Sequence, residues 1–141
     1  GSDGELGTGA PQPTITALDD LVTEAAAAGE RVTLTLEGRE ALTSARRQLQ
    51  RSVFRTVQEG MTNARKHAPG ALVEVEVRAT EETVAVRVAN PVPVGVTPTE
   101  VPGSRAGLTG LAERIRLDGG QMSAVVTDGS FVLEAALPWR A

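Results

Sequence analysis

The sequence predicts an α+β domain, a two-layer sandwich whose mixed, mainly antiparallel sheet carries its helices on one face. Three observations lead there. Stretches that alternate with period two outnumber the helical stretches that could serve as crossovers. Two of the four successive strand pairs are separated by no more than a turn, so they pair as hairpins. The longest periodic segment carries a single apolar stripe, as a helix does when it covers one side of a sheet.

The elements follow in order. Residues 1 to 13 are rich in Gly, Pro and polar side chains and read as a flexible lead-in, with Gly1-Ser2 as the remnant of an expression tag on a piece of a larger parent. Residues 14–141 then form one domain. From Ile15 to Ala28, Leu18, Leu21, Val22 and Ala25 recur at helical spacing, and Gly29 supplies the stop. Arg31 to Glu37 alternates as a half-buried strand and ends at Gly38.

A long helix is predicted from about Glu40 to Ala68. Leu42, Ala45, Leu49, Val53, Val57, Met61 and Ala64 trace its stripe, and Pro69-Gly70 closes it. Two strands follow, Leu72 to Ala79 and Thr83 to Ala89, joined by a turn at Thr80-Glu81-Glu82. Residues Asn90 to Ala106 hold four prolines and two glycines and read as a loop of the length that usually serves as a lid. Leu108, Leu111 and Ile115 mark a short helix ending at Gly119-Gly120. Strands Gln121 to Thr127 and Ser130 to Leu137 close the chain as a hairpin around Asp128-Gly129.

Composition excludes several functions. Of 141 residues, 40% are hydrophobic and 23% charged, a globular balance. The aromatics are Phe54, Phe131 and Trp139 alone, so the core must be aliphatic and no platform exists for stacking single-stranded nucleic acid. A net charge of -4 argues against a nucleic-acid backbone as partner. The absence of cysteine removes disulfides and thiolate metal sites, and fits a reducing, cytoplasmic compartment. No apolar run is long enough to span a bilayer, so direct membrane contact is not expected of this segment, although the parent can be membrane-bound.

Two places could carry chemistry. Late in the long helix, Glu59, Asn63, Lys66 and His67 recur at steps of three or four and so share one face, expected roughly opposite the Val53-Val57-Met61 stripe. Lys66 is the sole lysine and His67 the sole histidine. A carboxylate, an amide oxygen, an ammonium and an imidazole suit a magnesium-triphosphate, the amide as a hard ligand and the nitrogen bases against phosphate charge. The same residues also fit a solvated helix face with cations near its C-terminus. The second place is Gly103-Ser-Arg-Ala-Gly107-Leu108-Thr-Gly110, a glycine-bearing loop leading into a helix whose N–H groups and dipole would favour an anion. Alone, that pattern is also a common tight turn. A two-histidine metal site and a G-x-x-x-x-G-K-[ST] loop are both missing.

In this order, Phe54-Arg-Thr-Val-Gln-Glu59-Gly-Met-Thr-Asn63-Ala-Arg-Lys-His67-Ala resembles the asparagine-bearing box of sensor histidine kinase ATP-binding domains. Gly107-Leu-Thr-Gly110-Leu-Ala-Glu-Arg114 resembles their second glycine box, and Asp128 to Pro138 their closing strand. The family belongs to the gyrase, chaperone, histidine kinase and mismatch-repair ATPase superfamily. The short span between boxes is similar to the subfamily paired with helix-turn-helix response regulators. The likeness covers residues 15 to 138.

The resemblance implies a Bergerat-type fold that binds ATP and Mg²⁺. By it, Asn63 would coordinate Mg²⁺, and Lys66 and His67 would meet phosphate oxygens. Backbone N–H groups around Gly107, Leu108 and Gly110 would hold the phosphate chain, and Ser130 would lie near the adenine. Glu59 matches the family's acidic position, which would position or activate the attacking group. The implied activity is a histidine kinase donating the γ-phosphate to a histidine on a separate dimerisation helix, with a response regulator as an indirect partner. Without that helix, the chain is expected to bind Mg-ATP but not to autophosphorylate.

One departure bears on affinity. Where the family carries Asp-x-Gly-x-Gly, this chain reads Asn90-Pro-Val-Pro-Val-Gly95, so the aspartate that accepts from the adenine amine is replaced by Asn90. Losing that charge costs about 1 kcal/mol. Two other readings of the same module are an anti-sigma-type serine kinase and a degenerate domain used only for protein contacts.

Overall fold

The computed structural model describes residues 15–92 and 105–139. The predicted lead-in and most of the predicted lid therefore lie outside the described residues. The elements are α1 (Ile15–Ala27), β1 (Val32–Glu37), α2 (Arg39–Thr43), α3 (Arg47–His67), β2 (Val73–Ala79), β3 (Thr83–Pro91), α4 (Arg105–Leu117), β4 (Gln121–Thr127) and β5 (Ser130–Pro138).

The five strands form one sheet in the order β1-β2-β3-β5-β4. β1 pairs parallel with β2, and the remaining pairs are antiparallel. Alternation sets the faces. Val73, Val75 and Val77 of β2 are buried while Glu74 and Arg78 point to solvent, and the register carries this across to Val86 and Leu133.

The helices cover the buried face. Leu49, Val53, Val57 and Met61 of α3, Leu18 of α1 and Ile115 of α4 pack onto it, each at most 2% exposed. Each such side chain contributes roughly 1.5–3 kcal/mol by leaving water. The core is aliphatic, joined by Phe131, with Phe54 and Trp139 against its margin.

The solvent face of the sheet carries a charged ladder, Glu76–Arg87–Glu134 in register, with Arg87 reaching Glu76 at 3.8 Å and Glu134 at 3.9 Å. A groove of about 380 Å³ runs along this ladder, but its charges neutralise one another. Exposed pairs of this kind contribute ~0–1 kcal/mol each.

Four sequence expectations change. The single long helix is two, because Arg46 adopts an extended backbone with φ -60 and ψ 148. The break is held by one distant contact and two local ones: Arg46 Nε donates to the Trp139 carbonyl at 2.8 Å, and Gln50 Nε2 donates to the carbonyls of Ala45 and Thr43. β3 runs on through Asn90 and Pro91, which pair with Phe131 and Ser130 and so are not loop residues. α4 starts at Arg105, so Gly107 and Gly110 lie inside it instead of before it. The polar ridge of α3 is not opposite the apolar stripe, since Asn63 is buried beside it at 1% exposure.

Candidate functional site

The site begins with how closely α3 approaches β3. Gly60 lies on Val88, with no room for a Cβ between them. This closeness buries a row of small and polar α3 residues, Ser52, Thr56, Gly60 and Asn63, along the flank of the stripe. Thr56 satisfies its hydroxyl on the Ser52 carbonyl at 2.8 Å. Asn63 satisfies nothing: neither Oδ1 nor Nδ2 has a hydrogen-bond partner among the described residues. A buried polar group left unpaired costs about 1–3 kcal/mol, so a fully orphaned amide marks a place that something else completes.

The predicted ridge spans about 100° of the helix circumference. Burial grades across it: Asn63 is enclosed, Glu59 and His67 are half-buried, and Lys66 is exposed. Lys66 makes no ion pair among the described residues. His67 is held below the ordinary imidazole range, first by burial and then by the Lys66 charge beside it.

β3 runs in the same direction as α3, because a short turn joins α3 to β2 and β2 is antiparallel to β3. One turn beyond Gly60 stands Asn63, and two residues beyond Val88 stands Asn90, so both lie toward the same end of the sheet. Asn90 is 3% exposed. Its Nδ2 donates to the Pro91 carbonyl at 3.1 Å, while its Oδ1 has no partner among the described residues. Ser130, paired with Pro91 across β3 and β5, stands at this end too, and the Val92 N–H extends the pairing to the Gly129 carbonyl at 2.9 Å.

α4 supplies the facing wall. A Cβ on Gly107 would lie 2.6 Å from Glu59 Oε2, so the glycine lets that carboxylate rest where it does, against the first turn of α4. Gly107 stands in the first turn of α4, with Leu108 and Gly110 following it along the helix. Between the helices lies a cavity of about 300 Å³ lined by Arg55, Gln58, Glu59, Gly107, Gly110, Leu111 and Arg114. The two predicted elements thus meet at Glu59 and Gly107. Asn63, Lys66, His67, Asn90 and Ser130 do not line that cavity.

Arg55, Gln58 and Arg114 were missed from the sequence, although Arg55 is four residues before Glu59 and Arg114 four after Gly110. A second omission is Asp118, 2% exposed at the end of α4. Its carboxylate accepts from Ser52 Oγ at 2.6 Å and from Gln48 Nε2 at 2.5 Å, tying α4 to α3. In sequence it is simply the first residue of an Asp-Gly-Gly turn.

The donor set fits a magnesium-nucleotide. Among the described residues no group of three or more His, Asp or Glu could hold a metal by itself. Mg²⁺ needs no such cage, since it keeps several waters and uses one or two protein oxygens plus phosphate. The orphaned Asn63 amide offers such an oxygen.

No protein-family model matches the sequence, and no curated protein matches it. Solved structures share its fold. The Erythrobacter litoralis EL346 blue-light activated histidine kinase superposes with a TM-score of 0.67 at 14% identity, over 90% of this chain and 42% of that one. The catalytic domain of histidine kinase ThkA, in a nucleotide-free form, superposes with a TM-score of 0.61 at 16% identity, over 88% of this chain and 95% of that one. Acinetobacter baumannii histidine kinase AdeS gives 0.56 at 11% identity, over 88% of this chain and 61% of that one. The chain therefore spans under half of the light-activated kinase and nearly all of an isolated catalytic domain. Its fold is that of histidine kinase catalytic domains.

Proposed function

We propose that this chain is the Mg-ATP-binding catalytic domain of a sensor histidine kinase, which presents the γ-phosphate to a histidine on a separate dimerisation helix. The observation that carries the reading is the buried Asn63 amide without a partner, on a helix whose preceding turn sets Glu59 against the start of α4.

Phosphoryl transfer asks chiefly for positioning and charge neutralisation. Asn63 Oδ1 would take one place on Mg²⁺, and Lys66 and His67 would sit against phosphate oxygens from the end of the same helix. The first turn of α4 would turn its dipole toward the phosphate chain. Glu59 would orient the accepting imidazole, with its carboxylate open to that ring's proton. The nitrogen gains the phosphoryl group as the bond to the ADP oxygen breaks. The response regulator would enter only afterwards, as acceptor from the phosphohistidine, and the domain would work on the cytoplasmic side.

Two measurements test this. Calorimetric titration should give a Mg²⁺-dependent ATP signal that Asn63→Ala removes. Labelled ATP should label a separately added phosphoacceptor helix and leave this chain unlabelled. Absence of heat at millimolar nucleotide, or binding indifferent to Asn63→Ala, rejects the reading. The former result favours a degenerate domain used for protein contacts.

A further inference from the structure

We propose that the groove between α3 and α4 is the dock for the helix that carries the accepting histidine, and that this helix presents a carboxylate to Arg55 and Arg114; the inference rests on the kinase reading above. Two cavities make the groove. The one of about 300 Å³ at Glu59 and Gly107 shares Gly110 and Arg114 with a second of about 250 Å³, which runs on to Gln48 and Leu117. α3 and α4 run in opposite directions along it, since Gly107 meets Glu59 at one end and Asp118 meets Ser52 at the other. The stretch from Gln48 to Glu59 is about 16 Å of helix, long enough to seat about three turns of another.

The groove lies on the far side of Glu59 from the predicted nucleotide residues. Asn63, Lys66 and His67 follow Glu59 toward the end of α3, and none of them lines either cavity. Glu59 stands on the boundary, so a group that fills the groove reaches its carboxylate from the side away from Asn63. A phosphoacceptor has to arrive in that way, because the attacking and leaving atoms stand roughly in line across the phosphoryl group.

The side chains of the groove specify the chemistry of its occupant. Leu117, 78% exposed, offers an apolar contact at the far end. A Cβ on Gly110 would meet nothing within 4 Å, so the α4 wall is open midway. Arg55 and Arg114, both exposed, flank the near cavity and make no hydrogen bond or ion pair among the described residues. The nearby Glu113 is taken by Arg116. Two unpaired guanidiniums beside the one carboxylate of Glu59 leave the groove short of negative charge, and a guanidinium fork matches a carboxylate. Arg55 precedes Glu59 by about one helical turn. A histidine at Glu59 therefore puts the carboxylate about one turn along the docked helix, and an apolar residue about three turns along meets Leu117.

The test uses two synthetic helical peptides, each with one histidine and a leucine about three turns from it. One carries glutamates a turn from the histidine and the other carries lysines there. Fluorescence anisotropy should show the glutamate peptide binding the chain at least about tenfold more tightly than the lysine peptide. Arg55→Glu combined with Arg114→Glu should invert that order. Equal binding, no binding of either peptide at millimolar concentration, or an order that the double reversal leaves alone overturns the dock. If the double variant does not fold, the wild-type order decides. Titration with Mg-ATP keeps the two readings apart. If Asn63→Ala abolishes nucleotide binding while the peptides show no order, the dock falls and the nucleotide site stands. If the double reversal weakens Mg-ATP as strongly as the glutamate peptide, the arginines serve the nucleotide and the dock is overturned. If wild type binds no nucleotide, the kinase reading falls and takes the dock with it.

Discussion

Gly60 of α3 rests on Val88 of β3 so closely that a Cβ on the glycine would lie 2.7 Å from both Cβ and Cγ1 of the valine. This contact seats the helix on the sheet and places Asn63 and Asn90 in the same buried margin. Helix propensity alone favours alanine over glycine by about 1 kcal/mol. Here the added methyl meets a branched side chain in a filled core, where overpacking costs about 1–3 kcal/mol. Gly60→Ala should therefore lower stability in urea by up to about 2 kcal/mol net and weaken Mg-ATP binding as α3 lifts. An alanine variant more stable than wild type, as helix propensity alone favours, would show that the seam has slack.

The buried Asp118 carboxylate predicts a coupled pair. Asp118→Ala removes the acceptor from both Ser52 and Gln48 and leaves the enclosed Ser52 hydroxyl unpaired, a loss of roughly 2–3 kcal/mol. Ser52→Ala alone should cost less, and the double variant should cost less than the two singles summed, a coupling that a double-mutant cycle reads directly. Additive losses would mean that the 2.6 Å contact contributes nothing.

Asn63 should separate stability from binding. Its two side-chain polar atoms are buried without partners. Asn63→Ala deletes an unsatisfied amide, so the midpoint of thermal unfolding should hold or rise, by up to about 1–3 kcal/mol equivalent less the small cavity created. The same change should abolish Mg²⁺-dependent nucleotide binding. A marked fall in the midpoint without nucleotide would show that the amide is satisfied in the folded chain.

His67 gives a pH signature. Its folded-state pKa lies below the ordinary 6.5, first because burial disfavours the charged ring and then because Lys66 repels it. As pH falls through 6.5 the unfolded chain takes up the proton first, so stability is lost between 6.5 and the lowered value and levels off below it. His67→Gln should flatten that part of the profile of unfolding midpoint against pH. An unchanged profile would place the sensitivity on the carboxylates instead.

Some of this architecture could be read from residues alone and some could not, for identifiable reasons. Asp128-Gly129 announces a hairpin because both positions need positive φ, and they have 51 and 76. Stripes such as Leu49-Val53-Val57-Met61 announce their helix because burial follows its period. The break before Arg47 has no glycine or proline to announce it. It depends on Arg46 reaching a carbonyl far along the chain. The sequence places the start of α4 late because Gly107 and Gly110 read as breakers, whereas both lie within the helix and Gly107 packs against the Glu59 carboxylate. The enclosure of Asn63 was hidden because a polar side chain signals exposure until the distance between α3 and β3 is known.

β1 and β2 are neighbours running the same way, so no hairpin can join them, and α2 with α3 makes the crossing. The helix bearing Glu59 and Asn63 is consequently anchored at both ends to adjacent strands. It could slide along its own axis only by shearing the edge of the sheet. Adjustment of the Glu59–Gly107 wall would then fall to α4, fastened at its far end where Asp118 grips Ser52 and Gln48. Such a helix would tilt about its fastening instead of travelling, like a lever whose fulcrum lies one helix length from the work.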